Sequence, residues 1–279
     1  MGKIYYRNKG GIGNQLFIYF FAKALSLQFS KNLFVDNYTG FKRDFYKRKP
    51  LISSVISDNF LNAPFFIEFL FRIYRFLPQR FLSFFGVLVI SEIHNRELVH
   101  FNEKDILEKN LILIDGYFQS YTYFCEIQSE ITSKAFVGFE VLNDYLSYFN
   151  LIKFSNSVSI HIRRSQYDNL LDLNYYKNAL NILGKNVEDC KYFIFSDDII
   201  WCRENFKGRS FIFIDVAFPD EIQELYLMSI CKHHIIANSS FSWWGAFLGY
   251  SSVYKFVIAP QKTDIGVLGL LYPKNWFII

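Results

Sequence analysis

Val158–Asn169, VSIHIRRSQYDN, runs from an apolar, alternating stretch into two adjacent arginines and then a polar turn. Side chains alternate along a strand, so Val158, Ile160 and Ile162 share one face while Ser159, His161 and Arg163 share the other. Such a run reads as a buried strand, with Arg163 and Arg164 at its carboxyl end. In open α/β sheets, ligands bind outside the carboxyl ends of the strands. His161 and Arg163 are therefore expected to project together towards a ligand edge. A guanidinium there offers planar, permanently charged donors suited to phosphate oxygens. An arbitrary arginine pair is more often a pair of surface salt bridges, but a position behind a buried strand favours the ligand.

Strand-like runs follow at Tyr192–Phe195, Phe211–Ile214, His234–Ile236 and Phe256–Ile258, with helix-like segments near 174–184, 199–206, 220–231 and 241–249 between them. This alternation predicts a parallel sheet covered on both faces. The N-terminal half opens in the same way. Lys3–Arg7 is a short strand, Gly10-Gly11-Ile12-Gly13 a glycine loop, Asn14–Phe29 a helix by its apolar spacing, and Leu33–Asp36 a second strand. Asn110–Asp115 reads as another buried strand, whereas residues 37–105 show no clear pattern. The sequence thus predicts two α/β domains with a cleft between them, 1–152 and 153–279.

A second anion-seeking stretch lies behind the strand at 234–236. Ala237–Gly245, ANSSFSWWG, supplies Asn238, Ser239 and Ser240 as helix-capping residues ahead of apolar helix formers. Exposed N–H groups at such a helix start attract anions. Two features of this kind at one sheet edge suggest a pyrophosphate. Serine capping alone and Trp243 and Trp244 in the core would be the simpler account of the same residues.

The composition narrows the options. With 51% hydrophobic and 20% charged residues among 279, the chain can bury a large core and is not disordered. A net charge of +4 is too small for a nucleic-acid surface, so no nucleic-acid partner is expected. Cys125, Cys190, Cys202 and Cys231 show no C-x-x-C spacing, and there is no D-x-D and no His/carboxylate cluster with ligand spacing. Neither a metal nor a disulfide framework is suggested. The N-terminal MGKIYYRNKG lacks a signal-peptide core, and the protein reads as intracellular and reduced.

The aromatic content, 33 Phe, 19 Tyr and 4 Trp, has two explanations. One is the codon bias of an AT-rich genome. The other is work against a lipid surface, favoured by residues 60–90, FLNAPFFIEFLFRIYRFLPQRFLSFFGVLVI, in which Phe, Leu and Ile mingle with Arg72, Arg75 and Arg80. The charge-free part, Phe81–Ser91, is too short to span a bilayer. Ile235–Tyr254 is long enough, but its Asn238 and five serines read as buried turn and helix.

Together GGIGNQLF, GYFQSYTYF, SIHIRRSQY, YFIFSDDIIW, LMSICKHHIIANSSFSWWGA and YPKNW resemble the GDP-fucose-dependent α1,2-fucosyltransferases of bacteria and animals, glycosyltransferase family 11. The similarity runs over nearly the whole chain in order. It implies a GT-B fold, two Rossmann-like domains facing across a cleft with the nucleotide held mainly by the second. It further implies that Arg163 holds the β-phosphate, supported by Arg164, and that His161 contacts the nucleotide. Asn238, Ser239, Ser240 and Phe241 would lie along the pyrophosphate and guanine. Gly11, Gly13, Asn14 and Gln15 would face the substrates from the first domain, and Asp197 or Asp198 would meet the purine or ribose unless they only cap the helix that follows. Family members usually read HxRRxDY; here Gln166 stands where the Asp is expected and Asp168 follows two positions later. Either that carboxylate is dispensable or Asp168 replaces it.

The expected reaction is metal-independent, inverting transfer of L-fucose from GDP-β-L-fucose to a galactoside hydroxyl, with no cofactor. The expected location is the cytoplasm, with a peripheral contact on the inner face of the membrane if the glycan acceptor is lipid-linked. Two other readings are set against it. A nicotinamide-dependent oxidoreductase would use the glycine loop and Asp36, although Leu16 stands where G-x-G-x-x-G needs its last glycine. A catalytically degenerate glycan- or nucleotide-binding relative is supported only by Gln166.

Overall fold

The structure is a computed structural model that describes residues 2–92, 99, 101–164, 170–249, 255–263, 265–266 and 270–279. It divides into two compact α/β units: residues 1–135 with 266–272, and 136–265 with 273–279. The first unit contains β1 (Lys3–Arg7), α1 (Ile12–Gln28), β2 (Asn32–Asp36), β3 (Leu61–Asn62), α2 (Phe65–Ile73), α3 (Gln79–Phe84), β4 (Val87–Ser91), α4 (Glu103–Glu108), β5 (Leu111–Asp115) and α5 (Gln128–Lys134). Its parallel sheet has the order β3-β2-β1-β5-β4. The second unit contains α6 (Asn143–Lys153), β6 (Asn156–Ile162), α7 (Leu173–Asn186), β7 (Cys190–Ser196), α8 (Ile199–Asn205), β8 (Phe211–Phe213), α9 (Glu221–Ser229), β9 (His233–Ile235), α10 (Ser240–Phe247), β10 (Val257–Ala259) and β11 (Phe277–Ile278). Its sheet, also parallel, has the order β11-β10-β9-β6-β7-β8.

The division falls after Ala135, not at the expected 152. The reason is α6, whose Tyr145 and Ile152 are buried in one cluster with Phe193, Phe195 and Leu227 of the second unit. At the other end, 266–272 returns to the first unit, where the Leu270 carbonyl accepts from the Tyr121 N–H at 3.0 Å and the Ser120 hydroxyl at 2.7 Å.

The alternation read from the second half is borne out by packing. Val158, Ile160 and Ile162 are buried in one cluster with Tyr176, Ala179 and Leu183 of α7 and Cys202 of α8. Ser159 faces the other way, its hydroxyl 2.7 Å from His234 Nδ1. In the first half, α1 is buried on nearly every side, as an apolar helix in a core must be. The unpatterned stretch 37–105 holds β3, α2, α3, β4 and the start of α4. Helix α2 buries only Ile67 and Phe71, and its other positions mix Phe65, Phe66 and Phe69 with Glu68 and Arg72.

Helix α1 begins at Ile12, two residues before the expected start, with Gly11 as its cap. Gly13, Asn14 and Gln15 therefore occupy its first turn and not a loop. This corrects the expectation for Gln15. Its side chain is fully buried, with Nε2 donating to the carbonyls of Gly10 (2.9 Å) and Lys49 (2.7 Å). Its Oε1 accepts from Leu51 N–H (2.8 Å) and Asn8 Nδ2 (3.3 Å). A side chain so engaged clips the 49–51 segment to the glycine turn and has nothing to offer a substrate. Gln15→Ala leaves several buried polar groups without partners and should cost at least about 2 kcal/mol. Urea unfolding checks this; unchanged stability together with weakened nucleotide binding would return Gln15 to the site.

Candidate active site

In the second sheet the strand order reverses between β6 and β9: the chain steps from β6 to β7 and β8 on one side, then to β9, β10 and β11 on the other. Ligands bind at the carboxyl ends beside such a switch point. The register fixes which residues meet there. Ile160 pairs with Ile235 and Ile162 with Ser196. Carrying those offsets past the strand ends sets Arg163 beside Asn238 on one side and Asp197 on the other.

The side chains follow that register. Arg163 Nε lies 3.2 Å from Asp197 Oδ2, with the arginine side chain 27% exposed, so the pair sits at an open edge. Asp197 Oδ1 accepts the Arg164 N–H at 2.8 Å. Arg164 turns to α8, its guanidinium 4.1 Å from the Trp201 ring centre and its Nε 3.7 Å from Asp198 Oδ2. Asp198 also caps α8 by accepting the Trp201 N–H at 3.0 Å. Both arginines thus have carboxylate neighbours, as a salt-bridged pair would, yet they lie at the ligand edge of the sheet. Asp198 performs the capping that was the simpler account of it, and Asp197 holds Arg163.

His161 is buried beside this pair, its ring 5.4 Å from that of Phe241 in the first turn of α10. Its Nδ1 is buried with no hydrogen-bond partner among the described residues. Burial first, and the Arg163 charge second, push its pKa down to about 3 against the counter-effect of Asp197. The imidazole is therefore neutral and keeps both donor and acceptor character.

Ser239 precedes α10 as its cap residue, and Ser240 is the first residue of the helix. Asn238 and Ser239 are buried. The Ser242 hydroxyl accepts the Ala237 N–H at 2.8 Å, folding the turn back on the helix it starts. Trp243 and Trp244 are fully buried, with rings 4.8 Å apart. They are core residues, as their simpler reading had it. One sheet edge of the second unit thus gathers His161, Arg163, Arg164, Asp197, Asp198, Asn238, Ser239, Ser240 and Phe241. Gln166 and Asp168 lie outside the described residues.

Gly11, Gly13 and Asn14 belong to the first unit. Asn14 Oδ1 accepts from Gln119 Nε2 at 2.7 Å, so the turn after β1 and the turn after β5 are tied together at that unit's own reversal of strand order. Beside them Asp115 is buried among Lys9 (2.7 Å), Arg7 (2.8 Å), Arg75 (3.2 Å) and the Tyr74 hydroxyl (2.7 Å). Burial alone would raise that carboxyl, but Lys9 and Arg7 outweigh it and hold it at about 2. No sequence signal singled out this cluster, because its members come from three distant segments. Asp36, the acid an oxidoreductase would set on a ribose, is buried and accepts the N–H groups of Tyr38 and Thr39 at 2.9 Å each. It is spent on its own turn. Among the described residues no three His, Cys, Asp or Glu side chains lie together as a metal site would require.

Two parallel-sheet units of this kind define a protein of the GT-B class. A mutant of FUT1 from Arabidopsis thaliana, solved in complex with GDP, has the same fold, with a TM-score of 0.55 at 10% identity over 98% of this chain and 74% of that one. The pattern of Glycosyl transferase family 11 matches residues 3–276, and the chain belongs to that family of glycosyltransferases. An Escherichia coli alpha-1,2-colitosyltransferase is 30% identical, covering 97% of this chain and 91% of that protein. The Escherichia coli O-antigen biosynthesis glycosyltransferase WbnK is 28% identical, covering 92% and 93%.

The neutral His161 has a consequence for stability. In the unfolded chain an imidazole takes a proton near pH 6.5, whereas in the fold it does so only at about 3. Between those values the unfolded state holds the extra proton, so stability falls as the pH falls, by up to about 1.4 kcal/mol per pH unit from this group. His161→Gln should lose less stability than the parent between about pH 6.5 and pH 4. Denaturant unfolding across that range reads the difference; parallel curves would mean that His161 is charged in the fold.

Proposed function

We propose that the chain transfers L-fucose from GDP-β-L-fucose to a galactoside hydroxyl, with inversion and in α1,2 linkage, during synthesis of a surface O-antigen. The observation that carries this reading is the juxtaposition of Arg163 with the start of α10 at the switch point between β6 and β9. Two anion-binding elements at one edge suit a diphosphate. The family resemblance of HIRR and NSSFSWWGA supports a GDP-sugar as its bearer, and the relative named for O-antigen biosynthesis supports the setting.

Fucose lacks a 6-hydroxyl, so its anomeric centre ionises readily and the transition state is oxocarbenium-like. The bond from C1 to the β-phosphate oxygen breaks as the acceptor oxygen bonds to the opposite face; the departing GDP carries away the electron pair, and the acceptor hydroxyl's proton is released to water. The enzyme's task is then to stabilise that charge. Arg163 faces the β-phosphate, with its guanidinium direction set by Asp197 and its surroundings by Arg164 on Trp201. The N–H groups from Ser239 to Phe241 add donors fixed before the reaction begins, which is where such groups act best. Neutral His161 adds a hydrogen bond without repelling the arginine. No divalent ion has a role in this scheme, and neither does a redox cofactor.

A second reading concerns the donor sugar. The relative named alpha-1,2-colitosyltransferase favours colitose over fucose, with the same linkage and the same leaving group.

The test is incubation of the purified chain with GDP-fucose or GDP-colitose and a panel of galactosides, with mass spectrometry and linkage analysis of the products. A 2-linked fucosyl galactoside formed equally well in EDTA is expected. Arg163→Ala should lower turnover about 10²–10³-fold with the fold retained. Near-normal turnover in that variant, or EDTA inhibition relieved by magnesium, would overturn the assignment.

A further inference from the structure

Helices α2 and α3 lie over one face of the first unit's sheet. Ile67, Phe71, Tyr74 and Leu82 enter a single buried cluster with Tyr5, Val87 and Leu113 of the strands. With that face satisfied, the outer face of a surface helix is ordinarily polar. Here it is aromatic. Seven phenylalanines between 65 and 85 are exposed, and Phe65, Phe76 and Phe84 stand at 75%, 85% and 84% exposure. Phe85 touches both Phe81 and Phe84, with ring centres 4.8 and 5.3 Å apart, yet Phe65, Phe76 and Phe84 keep most of their surface in solvent. They protrude.

The charges around them are one-sided. Arg72, Arg75 and Arg80 are exposed on the same segment, against Glu68 as the single acid between 60 and 90. At the α3 end Lys109 sets its ammonium 3.0 Å from the Ser83 hydroxyl, and Asp105 lines the same hollow, so the charges balance there and the cationic excess rests on the arginines. A second copy of the chain laid on this face would set arginines against arginines with one Glu68 to answer them. Protruding rings with a cationic rim instead match the boundary between anionic headgroups and acyl chains, where aromatic side chains lodge ~5–10 Å deep and basic ones meet phosphates. Among the described residues no helix is long and apolar enough to cross a membrane, so contact through these elements lies in the plane of the surface.

We propose that the outer face of α2, α3 and the turn between them is a docking surface for an anionic phospholipid bilayer. Phe65, Phe76 and Phe84 insert, while Arg72 and Arg80 hold the phosphates and Arg75 stays tied to Asp115. The assignment stands on the first unit alone and does not depend on the donor or acceptor.

Vesicle flotation of the full chain tests it, with phosphatidylcholine vesicles compared with mixed phosphatidylcholine and phosphatidylglycerol vesicles. The chain should float with the mixed vesicles, weakly with phosphatidylcholine alone, and less as salt is raised. The double variant Phe76→Ser with Phe84→Ser, and the pair Arg72→Glu with Arg80→Glu, should each weaken binding at least about tenfold. Thermal unfolding of both variants should match the parent, because the side chains changed are exposed. The proposal is overturned if the parent stays unbound with both vesicle types, or if both variants float as it does. It also fails if the lipid-free parent sediments as a dimer that the phenylalanine variant dissociates, since the face would then belong to a second copy.

Discussion

The register of β6 between its two parallel neighbours is the constraint from which the site follows. A parallel ladder fixes strands to within one residue, and a slip of one would turn every side chain to the opposite face. Because Ile162 pairs with Ser196 and Ile160 with Ile235, the chain leaves the sheet with Arg163 flanked by Asp197 and Asn238. The same register sends Val158, Ile160 and Ile162 into the core under α7. The apolar face that holds the strand in place is thus what aims His161 and Arg163 outwards.

Electrostatics at that edge are balanced before any ligand arrives. Arg163 and Arg164 stand with Asp197 and Asp198, and His161 is kept neutral by burial and by the guanidinium next to it. The balance avoids a repelling cluster of cations at that edge. It also fixes directions, through a carboxylate behind Arg163 and an indole under Arg164. Under the proposed transfer, such an arrangement would meet new negative charge with dipoles already in place, at little cost of reorganisation.

The first unit handles buried charge differently. Asp115 draws Arg7, Lys9, Arg75 and Tyr74 from three segments onto one carboxylate at the carboxyl edge of its sheet. Gln15 performs a similar gathering with neutral groups. Both are internal ties that hold turns in place, and Arg75 reaches from one of them to the cationic rim beside Phe76. The unit thereby combines a rigid polar edge with a flank left apolar on its outer side.

The sequence by itself determined the alternating α/β pattern of the second half, the glycine turn ahead of α1, and the two stretches HIRR and NSSFSWWGA behind their strands. These are local patterns, set by side-chain period and capping chemistry, and they survive without knowledge of neighbours. It marked 60–90 as an aromatic and basic segment but not that Ile67, Phe71, Tyr74 and Leu82 are the residues that enter the core, because the exposed positions are filled by phenylalanine as well. Nor could it reveal that α6 packs with the second unit, or that Gln15 is consumed inside the fold while Arg163 stays at the edge. Those outcomes rest on strand order and on contacts between residues tens of positions apart, which exist only once the sheets have formed.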